Sequence, residues 1–298
     1  MRALRAILVV AILADATIAS ADPPITDQVT RAYALVERSP AEPSLRLRLV
    51  ERLLEAGRVD EAATEVGMLA ALAPDAPTTR YAEARVLVAR GEPDEAMRAL
   101  DALLATTFDA SAASLRGELR EEAGDFDGAL VDYEAALAVA PSIDLFLGRA
   151  RMLERRGEPL LAQRGLEEGI EASGGSIVLR DHAVALARRS GRYDDALALI
   201  EPVVARTPSA TYWRVLRAAV LADLGRAREA RRELDQALAL ADAQVARRGS
   251  PLALQERARV LVELGRLDDA RHDLTRALAR APSLIDARRL LAMAGGAR

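Results

Sequence analysis

The chain has 298 residues, of which 51% are hydrophobic, 29% charged and only 3% aromatic, with no cysteine, two histidines and a formal net charge of −4. The missing cysteine excludes a disulfide framework, a thiolate metal site and a cysteine nucleophile, and two histidines give no basis for a histidine-rich metal centre. A mildly acidic, aromatic-poor chain offers neither a basic nor a base-stacking surface for nucleic acid, while its apolar fraction is too high for a disordered one.

At the N-terminus, Arg2 and Arg5 precede the apolar run Ala6 to Leu13, and Ala19-Ser20-Ala21 puts small residues where a signal peptidase reads, just before Asp22-Pro23-Pro24. This layout predicts a secretory signal at 1–21 and a secreted or periplasmic protein after cleavage near Ala21. The run is far shorter than the ~20 residues of a membrane span, and no later stretch approaches one, so no transmembrane span is expected in the mature chain. In the lead segment 22–42, residues 26–38 predict a capping helix that ends before Pro40.

From residue 43 onward one pattern recurs, a glycine followed five residues later by an alanine: GRVDEA, GEPDEA, GDFDGA, GEPLLA, GRYDDA, GRAREA and GRLDDA, with glycines at 57, 91, 124, 157, 191, 225 and 265. The spacing is 34, 33, 33, 34, 34 and 40. Each glycine follows an apolar-periodic segment, so it predicts the end of one helix, where a positive φ is needed. Acids such as Asp60, Asp94, Asp127 and Asp194 then open a second helix, where the helix dipole favours them. Pro93 and Pro159 fit a first turn, and Pro202 falls inside a predicted helix and is expected to kink it. Ala73-Pro74, Ala140-Pro141, Thr207-Pro208 and Ala281-Pro282 close repeats, because proline disfavours helix in the residue before it. Seven repeats result, at 43–76, 77–109, 110–142, 143–176, 177–210, 211–250 and 251–284. The fourth is the least regular, because Gly169, Gly174 and Gly175 are expected to weaken the end of its second helix. The sixth is the longest, its second helix running from Ala227 towards Pro251. Residues 285–298 predict a C-terminal capping helix and tail.

A period near 34 with this internal pattern resembles the tetratricopeptide repeat, a helix–turn–helix unit. The resemblance covers residues 43–284. It implies an all-α fold, a right-handed α-solenoid of about seven such repeats with extra capping helices at both ends. In that family the alanine of each motif, here Ala62, Ala96, Ala129, Ala162, Ala196, Ala230 and Ala270, lies where two helices cross closely. The residues seven before each glycine are mostly small as well: Val50, Ala84, Gly117, Ala150, Val184, Ala218 and Ala258. Several large positions that the family fills with aromatics carry leucine here, with Tyr133 one retained aromatic. The resemblance further implies a non-catalytic scaffold that binds a protein or peptide partner in a concave groove lined by first helices, in the cell envelope, as a helper in assembly, secretion or polysaccharide export. An accessory subunit binding a small molecule or glycan inside the superhelix is the alternative. Counted back from each glycine, the groove positions carry Tyr81, Arg85, Glu118, Arg151, Asp181, Arg188, Tyr212, Gln255 and Arg259. The four arginines are expected to fork onto a partner's carboxylates, and the tyrosines to anchor it.

The sequence holds no phosphate-binding glycine loop, no HExxH, no GxSxG and no EF-hand loop. No catalytic, metal-binding or cofactor-binding residue is therefore expected. Gly174-Gly175 reads as a repeat junction. The pairs Arg188-Arg189, Arg231-Arg232, Arg247-Arg248 and Arg288-Arg289 read as solvated helix faces. His182 and His272 stand ninety residues apart in a fold whose units touch only their neighbours. Trp213 reads as core or inter-repeat packing.

Overall fold

Every turn glycine separates two helices. In the computed structural model, residues 24–207 and 210–296 are described, and the leader expected at 1–21 lies outside them. The described residues form sixteen α-helices and no strand, an all-α repeat solenoid. A leading helix, α1 (Ile25–Arg38), precedes the pairs α2 (Pro43–Glu55) and α3 (Val59–Leu72), α4 (Pro77–Arg90) and α5 (Pro93–Leu104), α6 (Ala110–Glu122) and α7 (Phe126–Val139), and α8 (Ile143–Arg155) and α9 (Pro159–Ala172). Then come α10 (Ile177–Arg189) and α11 (Tyr193–Arg206), α12 (Thr211–Asp223) and α13 (Ala227–Arg248), α14 (Pro251–Glu263) and α15 (Leu267–Arg280), and a final α16 (Ile285–Gly296). They group into two compact units, 24–179 and 180–296, with the boundary inside α10. No helix among the described residues is long and apolar enough to cross a membrane.

The local chemistry of each turn follows from its residues. Gly57 has φ +71°, and the Arg58 N–H reaches back to the Leu53 carbonyl at 2.8 Å, which satisfies an otherwise orphaned helix-end acceptor. A Cβ at Gly57 would meet nothing within 4 Å, so the backbone conformation, not space, demands glycine. The next helix opens on acids in its first turn, Asp60 and Glu61 in α3, Asp94 and Glu95 in α5, Asp268 and Asp269 in α15. Where arginine follows the glycine it also clasps the acid three residues on: Arg58–Glu61, Arg192–Asp195, Arg226–Glu229 and Arg266–Asp269 lie at 2.6 to 2.7 Å. Pro93 and Pro159 occupy first-turn positions. Pro202 lies within α11, which continues through it to Arg206.

Packing within each repeat rests on the small positions. Six of the seven motif alanines are fully buried, and Ala230 is 6% exposed. Opposite them, Val50, Ala84, Val184 and Ala258 are equally inaccessible. A larger side chain at either position would separate the helices. The retained aromatic shows how one repeat departs from this rule. Tyr133 of α7 is 2% exposed, and a Cβ at Gly117 of α6 or Gly148 of α8 would lie 2.9 or 3.0 Å from its ring. Those two glycines make room for the phenol.

Gly169 differs from expectation. Helix α9 runs unbroken to Ala172, and Gly169 is buried in it. A Cβ there would lie 2.7 Å from Phe146 Cγ and 2.8 Å from Leu179 Cδ1. This glycine serves close packing and does not weaken the helix. The break comes afterwards, at Gly174 and Gly175 with φ +68° and +102°.

Second helices pack between first helices, and first helices also approach one another: α2 with α4 and α6 with α8 in the N-terminal unit, α12 with α14 and α14 with α16 in the C-terminal unit. The end helices bury one stripe each, Val29, Ala32 and Val36 on α1, and Ala287, Leu290 and Ala294 on α16. Helix α13 spans 22 residues and ends at Gly249, φ +52°. Its buried stripe, Ala230, Glu233, Ala237 and Ala241, ends at Ala241, and the added turns beyond it hold no buried residue.

Candidate binding face of the first helices

All nine residues singled out by register lie on first helices, and each unit holds its own set. In the N-terminal unit, Tyr81 and Arg85 are one turn apart on α4 and half-buried. Arg85 Nη1 donates to Tyr81 Oη at 3.2 Å, and its guanidinium lies 6.0 Å from the ring centroid, a cation–π distance. Burial opposes the Arg85 charge, but that hydrogen bond together with Tyr81, Glu51 and Glu118 raises its pKa on balance. Glu118 of α6 is exposed at its rim. Burial nevertheless holds its carboxyl above the usual range, although Arg85 and Arg151 pull it down. Arg151 of α8 is exposed and forks onto Glu121, Nε to Oε1 and Nη2 to Oε2, both at 2.9 Å. Tyr133 Oη donates to the same carboxylate at 2.9 Å. Arg151 first, then Tyr133, hold Glu121 below the usual carboxylate range against a desolvation penalty.

In the C-terminal unit the set is drier. Asp181 of α10 is 5% exposed, and Tyr212 of α12 donates its hydroxyl to Asp181 Oδ1. The Arg259 guanidinium of α14 lies 5.9 Å from the Tyr212 ring. Burial pushes Asp181 up to about 6, more than the Tyr212 hydrogen bond and the Arg259 charge draw it down. Arg259 and Gln255, one turn apart on α14, are buried, and Arg259 reaches Glu256 at 3.5 Å. Arg188 is half-buried and binds Asp223 at 2.7 Å. Trp213 packs in the core, edge-on to Tyr212 with centroids 5.5 Å apart.

Three expectations change. Asp181, Gln255 and Arg259 are buried against neighbouring helices and are not presented on a face. Of the four groove arginines, Arg151, Arg188 and Arg259 already have carboxylate partners within the chain, and only Arg85 among them makes no ion pair in the described residues. Arg188 is therefore not a solvated residue, whereas Arg231, Arg232, Arg247, Arg248, Arg288 and Arg289 are exposed. His182 and His272 are exposed on α10 and α15. His272 lines a cleft of about 170 Å³ with Asp242, Asp269 and Asp273, whose carboxylates are held by Arg257 and Arg266.

Register alone missed a second charged set. Arg116, Arg217 and Arg257, each eight residues before a turn glycine, reach buried acids sixteen residues on, three past the motif alanine: Asp132, Glu233 and Asp273, at 2.5 to 2.7 Å. Each arginine also reaches an acid on the second helix of the preceding repeat, Asp101, Glu201 and Asp242 respectively. Arg149 makes the same reach in the fourth repeat to the Gly165 carbonyl at 3.1 Å. The signal was present as an arginine and an acid at fixed offsets from glycine and alanine.

Residues 42–149 match the tetratricopeptide repeat-like domain, and residues 184–251 and 256–295 match the tetratricopeptide repeat. Among curated proteins no sequence match was found. Yeast Tom70 is similar in structure, with a TM-score of 0.56 at 14% identity over 91% of this chain and 58% of that one. The C-terminal part of a repeat-containing protein from Cytophaga hutchinsonii gives 0.56 at 16% identity over 82% and 99%. The Cut9–Hcn1 complex of the APC/C gives 0.50 at 17% identity, and this chain spans 52% of that one. At these identities the likeness speaks for the fold alone.

Proposed function

The chain belongs to the tetratricopeptide repeat family, a fold that serves protein–protein interaction, and from that premise we propose that it binds a segment of a partner protein on the polar side of its first helices. The observation that carries this reading is the approach of first helix to first helix, α2 to α4 and α6 to α8, which sets Glu118 and Arg151 on adjoining first helices. The repeats act here as a non-catalytic scaffold. The test is site-specific photo-crosslinking in the native host, with the crosslinking amino acid placed at Glu122 on α6 or at Glu134 on α7, both exposed. Adducts with a protein from the α6 position and none from α7 are expected; equal adducts from both, or none, would overturn the assignment.

We also infer that the chain works in the cell envelope, secreted or periplasmic after cleavage near Ala21, as a helper in assembly, secretion or polysaccharide export. What supports the location is the leader, with Arg2 and Arg5, its apolar run and Ala19-Ser20-Ala21. Mass spectrometry of protein from the native host should find a chain beginning at Asp22. A cytosolic chain beginning at Met1 would defeat it.

A further inference from the structure

Residues 243–252 and 274–293 of the C-terminal unit hold six arginines and a single acid, Asp286, which is partly buried and lies 4.0 Å from Arg289. Four of the arginines gather where helices end: Arg247 and Arg248 in the last turn of α13, Arg280 in the last turn of α15, and Arg288 near the start of α16. Arg280 Nη1 donates to the Gly249 carbonyl at 2.5 Å, which brings the end of α15 against the end of α13. Arg288 Nη2 donates to the Pro282 carbonyl in the turn between α15 and α16. All four arginines are exposed, and their hydrogen bonds in the described residues go to backbone carbonyls, not to carboxylates. At the turn glycines of the same unit the arginines are instead clasped by acids, Arg226 by Glu229 and Arg266 by Asp269. A helix C-terminus favours a basic residue, but that does not account for what stands among these four. Leu252 and Ile285, in the first turns of α14 and α16, are 50% and 65% exposed. Leu252 is three residues past Gly249, and Ile285 three before Arg288. The edge therefore interleaves guanidinium groups with bare aliphatic side chains.

We propose that this edge of the C-terminal unit docks on the surface of an anionic phospholipid bilayer, with Arg247, Arg248, Arg280 and Arg288 on lipid phosphates and Leu252 and Ile285 in the boundary between headgroups and acyl chains. A guanidinium carries five donors. The carbonyls of Gly249 and Pro282 take one each from Arg280 and Arg288 and hold those groups in place, while the remaining donors fork onto phosphate oxygens. An acidic protein segment would answer the guanidinium groups alone. A bilayer surface answers both kinds of side chain, because it offers phosphate and hydrocarbon within the roughly 5–10 Å that an interfacial element penetrates. Arginine suits that boundary, its stem lying along apolar surface while its head stays in the polar layer. The contact is reversible, since four charges and two aliphatic side chains fall far short of the anchoring of a spanning helix. It uses helix ends and not the sides of the first helices, so it does not depend on reading those sides as a partner-binding surface.

The test exploits the absence of cysteine. Leu252→Cys, Ile285→Cys and Arg231→Cys, each alone in the full chain, are labelled with an environment-sensitive fluorophore. They are mixed with vesicles of phosphatidylcholine alone, or of phosphatidylcholine with phosphatidylglycerol, whose acyl chains are brominated. Arg231 is the control, exposed on α13 and sixteen residues before Arg247, roughly 24 Å away along the helix. Quenching at 252 and 285 in the anionic vesicles, with little at 231 and little in phosphatidylcholine alone, is expected. Because each label reports its own position, adsorption through the apolar run at 6–13 cannot imitate this pattern. Adding Arg247→Gln/Arg248→Gln to the chain labelled at 252 should raise the lipid concentration needed for half-quenching by roughly twenty- to thirtyfold, about fivefold for each arginine. Circular dichroism and thermal melts check the fold, which these exposed positions should leave intact. Equal quenching at all three positions, no quenching at 252 and 285, or a titration unmoved by the double substitution would overturn the docking edge. A response of the 252 and 285 labels to polyglutamate but not to anionic vesicles would make the occupant an acidic protein segment and would also overturn the proposal.

Discussion

Asp181 binds its proton more tightly in the folded chain than in the unfolded one. Burial raises its pKa to about 6 despite Tyr212 and Arg259, while in the unfolded chain a free aspartate titrates near ~3.9. The folded state therefore holds more protons between those values, and its stability falls as pH rises through the window. The contribution is fully present below about pH 4 and lost above about pH 6, an effect of about 2 to 3 kcal/mol. Unfolding free energies from urea titrations of the wild type and Asp181→Asn, compared across pH 4 to 7.5, should diverge by that amount as the wild type weakens. A constant difference would count against the buried carboxyl. The sequence placed Asp181 on the right helix, because its offset from Gly191 is readable. It could not show that Asp181 is buried, since Tyr212 and Arg259 come from helices of the next two repeats and only the folded array brings them together.

At the level of helices, two kinds of ion pair recur and differ in worth. The clasp Arg58–Glu61 lies on the surface within one turn, where pairing competes with water and salt. The pair Arg116–Asp132 joins two helices, and its acid is 2% exposed and also held by Arg120 at 2.8 Å. Asp132→Ala should destabilise by about 3 to 5 kcal/mol, because it strands two arginines in a half-buried place. Glu61→Ala should leave the thermal melt where it is. Equal effects from both substitutions would refute the distinction. The helices themselves were legible from glycine, alanine and first-turn acids, since those signals act within one turn. The reach from Arg116 to Asp132 was equally present in the sequence as a spacing of sixteen, and it is meaningful only once the two helices are known to lie side by side. Gly169 was misread for the same reason: its local signal is a helix breaker, while its actual role is set by Phe146 and Leu179 from other helices.

At the scale of the whole molecule, the repeats of each unit contact their neighbours and little else among the described residues, so damage should stay local. Ala196 is fully buried in the C-terminal unit, and Ala196→Phe should cost roughly 1–3 kcal/mol or more by overpacking. Amide hydrogen exchange should rise in α10 to α13 and stay unchanged in α2 to α5. A uniform loss of protection across the chain would refute local damage and point to a single cooperative unit. The period of the repeats was the most legible feature of all, because it is written seven times. The boundary inside α10 was not, since the motif continues through it at the same spacing.

The interfaces between successive repeats are fastened differently, and this bears on how the chain carries load. Repeats one and two meet through apolar side chains such as Val66, Leu69, Ala82 and Val86, with no helix-to-helix ion pair among the described residues. Repeats two and three add Arg116–Asp101, five and six add Arg217–Glu201, and six and seven add Arg257–Asp242. Dispersion contacts forfeit a quarter to a half of their attraction over a gap of roughly 0.5–1 Å, whereas charges still attract over several ångströms. Under tension the first interface should therefore give way after a small extension, and the arginine-fastened ones should stretch further before they yield.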